Sequence, residues 1–319
     1  GAGALRQETI NAAYIERIAG DIRPARPMKL AIDCGNGVAG AIAPDLLRAI
    51  GGEVTELYCE VDGQFPNHHP NPSVPANLAD LSATVTGQSL ELGLAFDGDG
   101  DRLGVVDGQG NIIWADRQMM LYAADVLERQ PGAMVIFDIK CSRKLADVIR
   151  EHGGEPLMWR TGHSLIKAKM QATGAPLAGE MSGHIFFKER WYGFDDALYT
   201  AARLIEILNR QANSPREVFA ALPNTLNTPE LNLEFAEEGA HVAFVEQLKA
   251  RADFADAELT TIDGLRVDYP WGWGLVRPSN TTPSLVIRFE ADTQAHLETI
   301  QSRFREAMLQ IQADLALPF

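Results

Sequence analysis

The chain has 319 residues, with 28 basic against 43 acidic side chains and a formal net charge of −15. That length exceeds one ordinary hydrophobic core and predicts two or three domains. The charge excludes a general binder of nucleic acid or anionic membrane, so an anionic ligand would need a local positive pocket.

Three cysteines, Cys34, Cys59 and Cys141, form no CxxC pair, which predicts neutral thiols in a reducing compartment and no structural zinc. No apolar run approaches the roughly 20 residues that span a bilayer. A cytoplasmic monomer is expected. Residues 1–8 resemble neither a signal peptide nor a domain start and are taken as a linker remnant.

From there the chain alternates. "MKLAIDCGNG" predicts a strand ending at Asp33 and a glycine turn. "APDLLRAIGGEVTELYCE" predicts a helix stopped by Gly51-Gly52, then a strand. The layout returns in "AMVIFDIKCSRKLADVIREHGGEPLMWRT", with a strand to Asp138, a helix stopped at Gly153-Gly154, and a strand. A βαβ unit used twice predicts two related α/β domains with mainly parallel mixed sheets, at 9–112 and 113–222. The remainder, 223–319, mixes turn-linked strands ("SLVIRFEAD") with two helices ("HVAFVEQLKARAD" and "QAHLETIQSRFREAMLQIQADL"). It predicts an α+β domain with an antiparallel sheet.

Three stretches bear chemistry. In "AFDGDGDRLGVVD", Asp97, Asp99 and Asp101 sit in a turn between two apolar runs, and Arg102 follows. Carboxylates this close repel unless a cation lies among them. Oxygen donors without His or Cys suit Mg²⁺ before Ca²⁺, and Arg102 and Gly108 break the EF-hand pattern. A solvated acidic turn is the competing reading. In "LAGEMSGHIFF", Glu180, Ser182 and His184 alternate, and in an extended strand they would share one side. They suit sugar hydroxyls, or else form a polar strand edge. In "VRPSNTTPSLVIRF", Arg277 with Ser279, Asn280, Thr281 and Thr282 could cradle a phosphate, or could form an ordinary polar turn. Asn280 also opens a glycosylation sequon, for which no secretory signal is seen.

Smaller features accompany these. Lys140 leaves a strand end, placed to neutralise a phosphoryl group or shuttle a proton. His163 precedes a helix, either as acid or base or as a helix-start residue with Ser164 as cap. His68 and His69, in "FPNHHPNP", make a poor chelate and read as a structural or interdomain loop.

Together, "FDGDGDR", "GEMSGH" and "RPSNTTP" resemble the α-D-phosphohexomutase family, most closely its bacterial phosphomannomutase/phosphoglucomutase branch. "DCGNGVAG", "FPNHHPNP", "TGHSLIK" and "FKERWYGFDDALY" match as well, so the resemblance covers essentially the whole chain. It implies the second, third and fourth of four domains, the last with a fold like TATA-box-binding protein. It implies Mg²⁺ on Asp97, Asp99 and Asp101, with Arg102 beside a phosphoserine. Glu180, Ser182 and His184 would hold sugar hydroxyls. Arg277, Ser279, Asn280, Thr281 and Thr282 would hold the substrate's non-transferred phosphate. Lys140 and His163 would flank the reacting centre.

The implied reaction interconverts hexose 1-phosphate and hexose 6-phosphate, of mannose or glucose, through a bisphosphorylated hexose of the glucose 1,6-bisphosphate type. The family's nucleophilic serine, in a "TASHNP"-like loop, has no counterpart here. The first domain would have to be supplied in cis, and the chain alone is expected to be inactive. Phosphoglucosamine mutase is the alternative within the class, disfavoured by Met181. A non-catalytic sugar-phosphate-binding module is the alternative outside it. A Mg²⁺ phosphatase of another fold lacks a matching nucleophile motif.

Overall fold

The computed structural model describes residues 3–319, so Gly1 and Ala2 of the expected linker lie outside the described residues. The chain divides into two compact units. One runs through Phe137 and adds Leu145–Leu157 and Gly162–Leu222; the other joins Asp138–Lys144 and Met158–Thr161 to Pro223–Phe319.

The first unit begins with helix α1 (Asn11–Asp21) and strand β1 (Met28–Asp33). Next come α2 (Ala43–Ala49), β2 (Gly52–Leu57), α3 (Ala79–Gly87), β3 (Leu92–Phe96), β4 (Leu103–Asp107) and β5 (Ile112–Ile113). The strands form one sheet in the order β2-β1-β3-β4-β5. β1 is parallel to β2 and β3, whereas β3, β4 and β5 run antiparallel to one another. β3 and β4 are buried along their whole length, as expected for strands covered on both faces.

The pattern then repeats. Helix α4 (Ala115–Arg129) leads to β6 (Met134–Asp138), α5 (Arg143–Glu151), β7 (Glu155–Trp159) and α6 (His163–Thr173). A hairpin of β8 (Leu177–Gly179) and β9 (Ile185–Phe187) follows. The order is β7-β6-β8-β9, with β6 parallel to β8 and β8 antiparallel to β9. In each sheet the strand pairing in parallel with the first is also the first arm of a hairpin. The turns of those two hairpins, 97–102 and 180–184, therefore occupy equivalent positions.

Helix α7 (Ala197–Arg210) holds this unit together. Every one of its residues from Ala197 to Asn209 is buried, including the polar stripe of Thr200, Arg203, Glu206 and Asn209. It packs on α4 and touches β3 and β4 of one sheet and β9 of the other. Arg203 within it is fully buried. Its guanidinium donates to Asp125 on α4 (2.7 Å) and to Glu189 just after β9 (3.1 Å), and lies 4.5 Å from the centre of the Phe187 ring. Helix α8 (Pro215–Ala221), closed by a Ser214–Glu217 capping box, ends the unit.

In the second unit β10 (Leu226–Asn227), β11 (Leu231–Glu234), α9 (Ala240–Arg251) and β12 (Glu258–Thr260) precede a meander. This is β13 (Leu265–Tyr269), β14 (Gly272–Pro278) and β15 (Ser284–Ala291), closed by α10 (Gln294–Ile311). The order is β10-β15-β14-β13-β12, with β11 also on β15, and every pairing is antiparallel. Phe244, Leu248, Val267, Ile287, Phe289, Ile300, Phe304 and Met308 form its core. Gly274 faces α10 so closely that a Cβ there would lie 2.4 Å from the Phe304 ring. Trp273 and Leu275 pack instead with Ile139 and Met158.

Of the paired histidines, His68 is tied into the fold by its side chain. His68 Nε2 lies 3.0 Å from Oδ2 of buried Asp33, and that residue's Oδ1 accepts the Gly35 N–H. Burial would lower the His68 pKa, but its bond to the His69 carbonyl and the Asp33 charge raise it above the ordinary value. Burial also pushes the Asp33 carboxyl up, against its bonds to Gly35 and His68. Both shifts have one sign: the folded state holds protons more tightly, so stability is full at low pH and declines as pH rises. Urea denaturation at pH values bracketing the ordinary histidine pKa should therefore show wild type losing stability on the alkaline side. His68→Gln should flatten that slope and cost about 1–3 kcal/mol on the acidic side, by leaving Asp33 short of a partner.

Candidate active site

The acidic turn is built by the β3–β4 hairpin, whose last pair is Phe96 with Leu103. Asp97 is buried at its base. Its Oδ1 accepts the N–H groups of Gly100 (3.1 Å), Asp101 (2.9 Å) and Arg102 (3.0 Å), and its Oδ2 accepts Arg102 Nε at 2.6 Å. One carboxylate thus folds the loop around itself and aligns the arginine, which also donates to Asn71 (3.2 Å). Gly100 takes φ +79°, a left-handed conformation the turn requires. Burial would raise the Asp97 pKa, but the bonds from Arg102 hold it below the usual range.

Asp97, Asp99 and Asp101 bring one ligand atom each to within 4.8 Å of one another. The Asp101 carboxyl is pushed up to about 7, first by burial and then, against the pull of His184, by the charges of Asp97 and Asp99. Hard oxygen donors, converging, with a carboxylate whose charge His184 offsets only in part, fit a divalent cation such as Mg²⁺. Asp99 and Asp101 border a cavity of about 320 Å³ whose other walls include Ile10, Tyr14, Val38 and Phe194.

The second hairpin turn meets the first. Arg102 and His184 form a β-bridge, and the Leu103 N–H donates to the Gly183 carbonyl (3.2 Å). The 180–184 segment is therefore not the extended strand on which its alternation was first read. The Glu180 N–H closes on the His184 carbonyl (2.9 Å), and Gly183 at φ +105° turns the chain. The polar groups converge nonetheless. Buried Glu180 accepts the Gly162 N–H and lies 3.4 Å from Ser182 Oγ. His184 Nδ1 is 3.4 Å from Asp101 and 3.1 Å from Asp195, which joins the two turns electrostatically.

His163 opens α6, behind Gly162 in the cap position at φ +134°, so the alternative with Ser164 as cap does not hold. The imidazole stacks on His184 with centroids 5.6 Å apart, and its Nδ1 lies 3.2 Å from Lys167 Nζ. Lys167 in turn donates to Asp195 (2.8 Å). Burial would lower the His184 pKa, but Asp195, Asp101 and Glu180 raise it above normal. Asp195, Lys167 and Asn71 were not singled out from sequence. Two signals were available: Lys167 stands four residues after His163, one helical turn on, and Asp195 directly precedes Asp196, which caps α7 by accepting the Tyr199 N–H.

The second unit carries the remaining residues. The β14–β15 hairpin turn holds Ser279, Asn280, Thr281 and Thr282. Ser279 Oγ accepts the N–H groups of Thr281 and Thr282 (both 3.3 Å), and Asn280 reaches the Thr161 carbonyl at 3.4 Å. Arg277 is buried at the base. Its Nε donates to Asp263 (3.0 Å), which also accepts the Thr161 N–H, while its Nη2 has no hydrogen-bond partner among the described residues. Gly264 makes this possible, because at φ +86° its missing Cβ would lie 2.5 Å from that of Arg277.

Lys140 is buried two residues beyond β6. Arg266 fixes its segment by donating to the Ile139 and Cys141 carbonyls, and Arg288 donates to that of Lys140 itself. The Lys140 ammonium lies 2.6 Å from Glu230 and 3.9 Å from Asp138. Burial would lower its pKa, but those two carboxylates raise it. Asp263 and Glu230 likewise escaped the sequence reading, since their partners are 14 and 90 positions away. Of the expected residues, eight therefore lie in the first unit and six in the second: Lys140, Arg277 and 279–282.

Hairpin turns that present carboxylates beside an arginine, sugar-compatible polar groups, and an arginine-based hydroxyl loop define a class of sugar-phosphate enzyme. Residues 12–110 match the phosphoglucomutase/phosphomannomutase alpha/beta/alpha domain II, 114–226 match domain III, and 230–307 match the C-terminal domain. The chain is 55% identical over 319 residues to a phosphomannomutase/phosphoglucomutase of Pseudomonas aeruginosa, covering 100% of this chain and 69% of that protein. A crystal structure of a phosphoglucomutase/phosphomannomutase family protein from Burkholderia thailandensis superposes with TM-score 0.95 at 55% identity, over 100% of this chain and 68% of that one. The fold extends to Aspergillus fumigatus N-acetylphosphoglucosamine mutase, solved with GlcNAc-6P and magnesium (TM-score 0.65, 15% identity, 93% and 68% covered). The chain belongs to the phosphoglucomutase/phosphomannomutase family.

The Asp101 shift makes the cation site testable. A raised carboxyl pKa places its stabilising contribution at low pH, to be lost as pH rises from 3.8 to about 7. Thermal melting in chelator should fall across that window, and Mg²⁺ should restore it at the alkaline end. Asp101→Asn should lessen the fall and remove the Mg²⁺ response.

Proposed function

We propose that the chain carries the cation, sugar and phosphate sites of a mutase interconverting the 1- and 6-phosphates of mannose and glucose through a bisphosphorylated hexose. The observation that carries this reading is the buried Arg277, with Asp263 holding Nε of its guanidinium and Nη2 without a hydrogen-bond partner among the described residues, at the base of a hydroxyl-rich turn. Arg277, Ser279, Asn280, Thr281 and Thr282 grip the phosphate that is not being transferred. Glu180, Ser182 and His184 bind sugar hydroxyls through mixed donors and acceptors, a set that tolerates a sugar presented in either direction.

Asp97, Asp99 and Asp101 hold Mg²⁺, which supplies charge neutralisation to a phosphoryl group in transfer. Arg102, braced on Asp97 and Asn71, adds its guanidinium charge to the same task. His163 and His184, linked through Lys167 and Asp195, are placed to move the hydroxyl proton, and Lys140 neutralises phosphoryl charge. The phosphoserine is supplied by a first domain in cis, because the 319 residues hold no "TASHNP"-like loop. The modules at 9–112, 113–222 and 223–319 each bring one hairpin turn, and the protein acts as a cytoplasmic monomer.

Phosphoglucosamine mutase is the second reading. Met181, nearly buried between Glu180 and Ser182, offers a thioether and no charge at that point of the turn, which favours the neutral hexoses. Calorimetric titration of the chain with glucose 1-phosphate in Mg²⁺ tests the site. Saturable binding should weaken about 100-fold in Arg277→Ala. Unchanged affinity in that variant would refute the phosphate assignment, and tighter binding of glucosamine 6-phosphate than of glucose 6-phosphate would favour the second reading. Adding the first domain in cis should confer turnover; binding without turnover would leave a sugar-phosphate-binding module.

A further inference from the structure

One charged group in the second unit has no part in that reading. Glu230 stands on the short link between β10 and β11, after Thr228-Pro229, and its side chain remains 36% exposed. The carboxylate nevertheless reaches a cluster of three cations. It lies 2.6 Å from the ammonium of buried Lys140, and Arg288 and Arg277 also act on it electrostatically. Desolvation pushes its carboxyl up, but these three cations outweigh that and hold it below the ordinary range.

The cations themselves are fixed. The backbone on either side of Lys140 is tied down by Arg266, which lies over the Trp273 ring at 3.9 Å, and the Lys140 carbonyl by Arg288. Arg277 is braced by Asp263. Asp138, the other carboxylate near Lys140, ends a central strand and is fully buried at 3.9 Å. Glu230 is thus the one carboxylate of this cluster that combines close contact with an exposed, strand-free position. A loop carboxylate can leave; a strand-end aspartate cannot.

We propose that Glu230 is a built-in counterion for Lys140, an intramolecular stand-in for a phosphate monoester, which the ligand's phosphoryl oxygens displace on binding. The proposal rests on the reading of Lys140 and Arg277 as phosphate ligands. Its physical basis is that a buried ammonium without an anion is costly, so the unliganded protein supplies one of its own. A monoester dianion carries more charge than a carboxylate and offers three oxygens where Glu230 offers two, so it can take Lys140 over. The cost is affinity: every ligand must first break the Lys140–Glu230 pair. The benefit is release, because Glu230 returns as the phosphate leaves. For a reaction whose bisphosphorylated intermediate has to let go and reverse end for end, grip without permanence is an advantage.

The test uses the full chain with inorganic phosphate and with glucose 6-phosphate as probes, by calorimetry and thermal shift. Glu230→Gln keeps the shape and removes the charge. It should melt lower than wild type without ligand, because Lys140 loses its partner. It should then bind both probes about 3–10-fold more tightly, the range of a modest charge-pair contribution, with a larger ligand-induced rise in melting temperature. Glu230→Asp, which keeps a carboxylate on a shorter arm, should fall between the two. A Glu230 that merely orients Lys140 would give the opposite sign: Glu230→Gln would bind more weakly, and that result, or unchanged affinity, overturns the proposal. Arg277→Ala measured alongside separates the two ideas. If it abolishes binding while Glu230→Gln gains nothing, the phosphate site stands and the counterion does not. If it leaves binding intact, the site assignment itself has failed.

Discussion

The buried guanidinium of Arg203 is the interaction on which the first unit depends. It sits in the middle of α7, fully out of solvent, with Asp125 and Glu189 as partners and the Phe187 ring beneath it. Asp125 also receives Arg129 and Arg210, so charges of both signs balance locally. A buried ion pair of this kind adds little net stability against an apolar replacement, yet breaking it by removing one partner is strongly destabilising, by about 3–5 kcal/mol. What it provides here is position. It fixes the rotation and register of a helix that is buried all round and that touches both sheets of the unit. The N-terminal end of that helix carries Asp195 and Asp196. Asp196 caps the helix and accepts Tyr14 and Trp191; Asp195 faces His184 and Lys167. Rotating α7 would take Asp195 away from His184 and Lys167.

A second constraint is that all three chemistry-bearing stretches are turns of antiparallel hairpins: β3–β4, β8–β9 and β14–β15. A hairpin turn has paired strands on both sides and therefore little freedom, while its backbone N–H groups, released from the ladder, are free to bind. Each turn uses those groups differently. In the first they converge on Asp97 and fold the loop. In the third two of them converge on Ser279. In the second the turn closes on its own carbonyl, and the side chains of Glu180 and Ser182 converge. A repeated βαβ unit thus supplies two equivalent turns with unlike side chains, carboxylates in one and mixed polar groups in the other.

Much of this was legible in the sequence because it is local. The strand ends at Asp33 and Asp138, the helix stops at the glycine pairs and the acidic turn between apolar runs all follow from residues within a few positions of each other. The Glu180–His184 segment was misjudged because alternation suggests a strand, and only Gly183, placed at positive φ, marks it as a turn. Of the two readings at His163, the one with Ser164 as cap fails because a preceding glycine fills that position without a side chain. Asp195, Asp263 and Glu230 stayed hidden for a different reason. Each acts on a residue brought near only by the fold, and an acidic residue in a protein of charge −15 carries no signal of its own.

That net charge also explains why so many cationic groups arrive already paired. A substrate with a phosphate dianion is repelled by the protein as a whole, so its recognition must be concentrated in a few desolvated cations. Left bare, such cations would be expensive to bury and would draw any passing anion. Arg102 is braced by Asp97, Arg277 by Asp263, Lys167 by Asp195 and Lys140 by Glu230. The braces are not equivalent. Asp97, Asp195 and Asp263 are buried and take further hydrogen bonds or ion contacts, so they orient their partners and stay. Glu230 alone in this set is exposed and lies outside a hydrogen-bonded turn, so its hold on Lys140 is electrostatic and reversible. Permanent braces keep geometry through a cycle; a removable one sets how firmly the cycle's ligands are held.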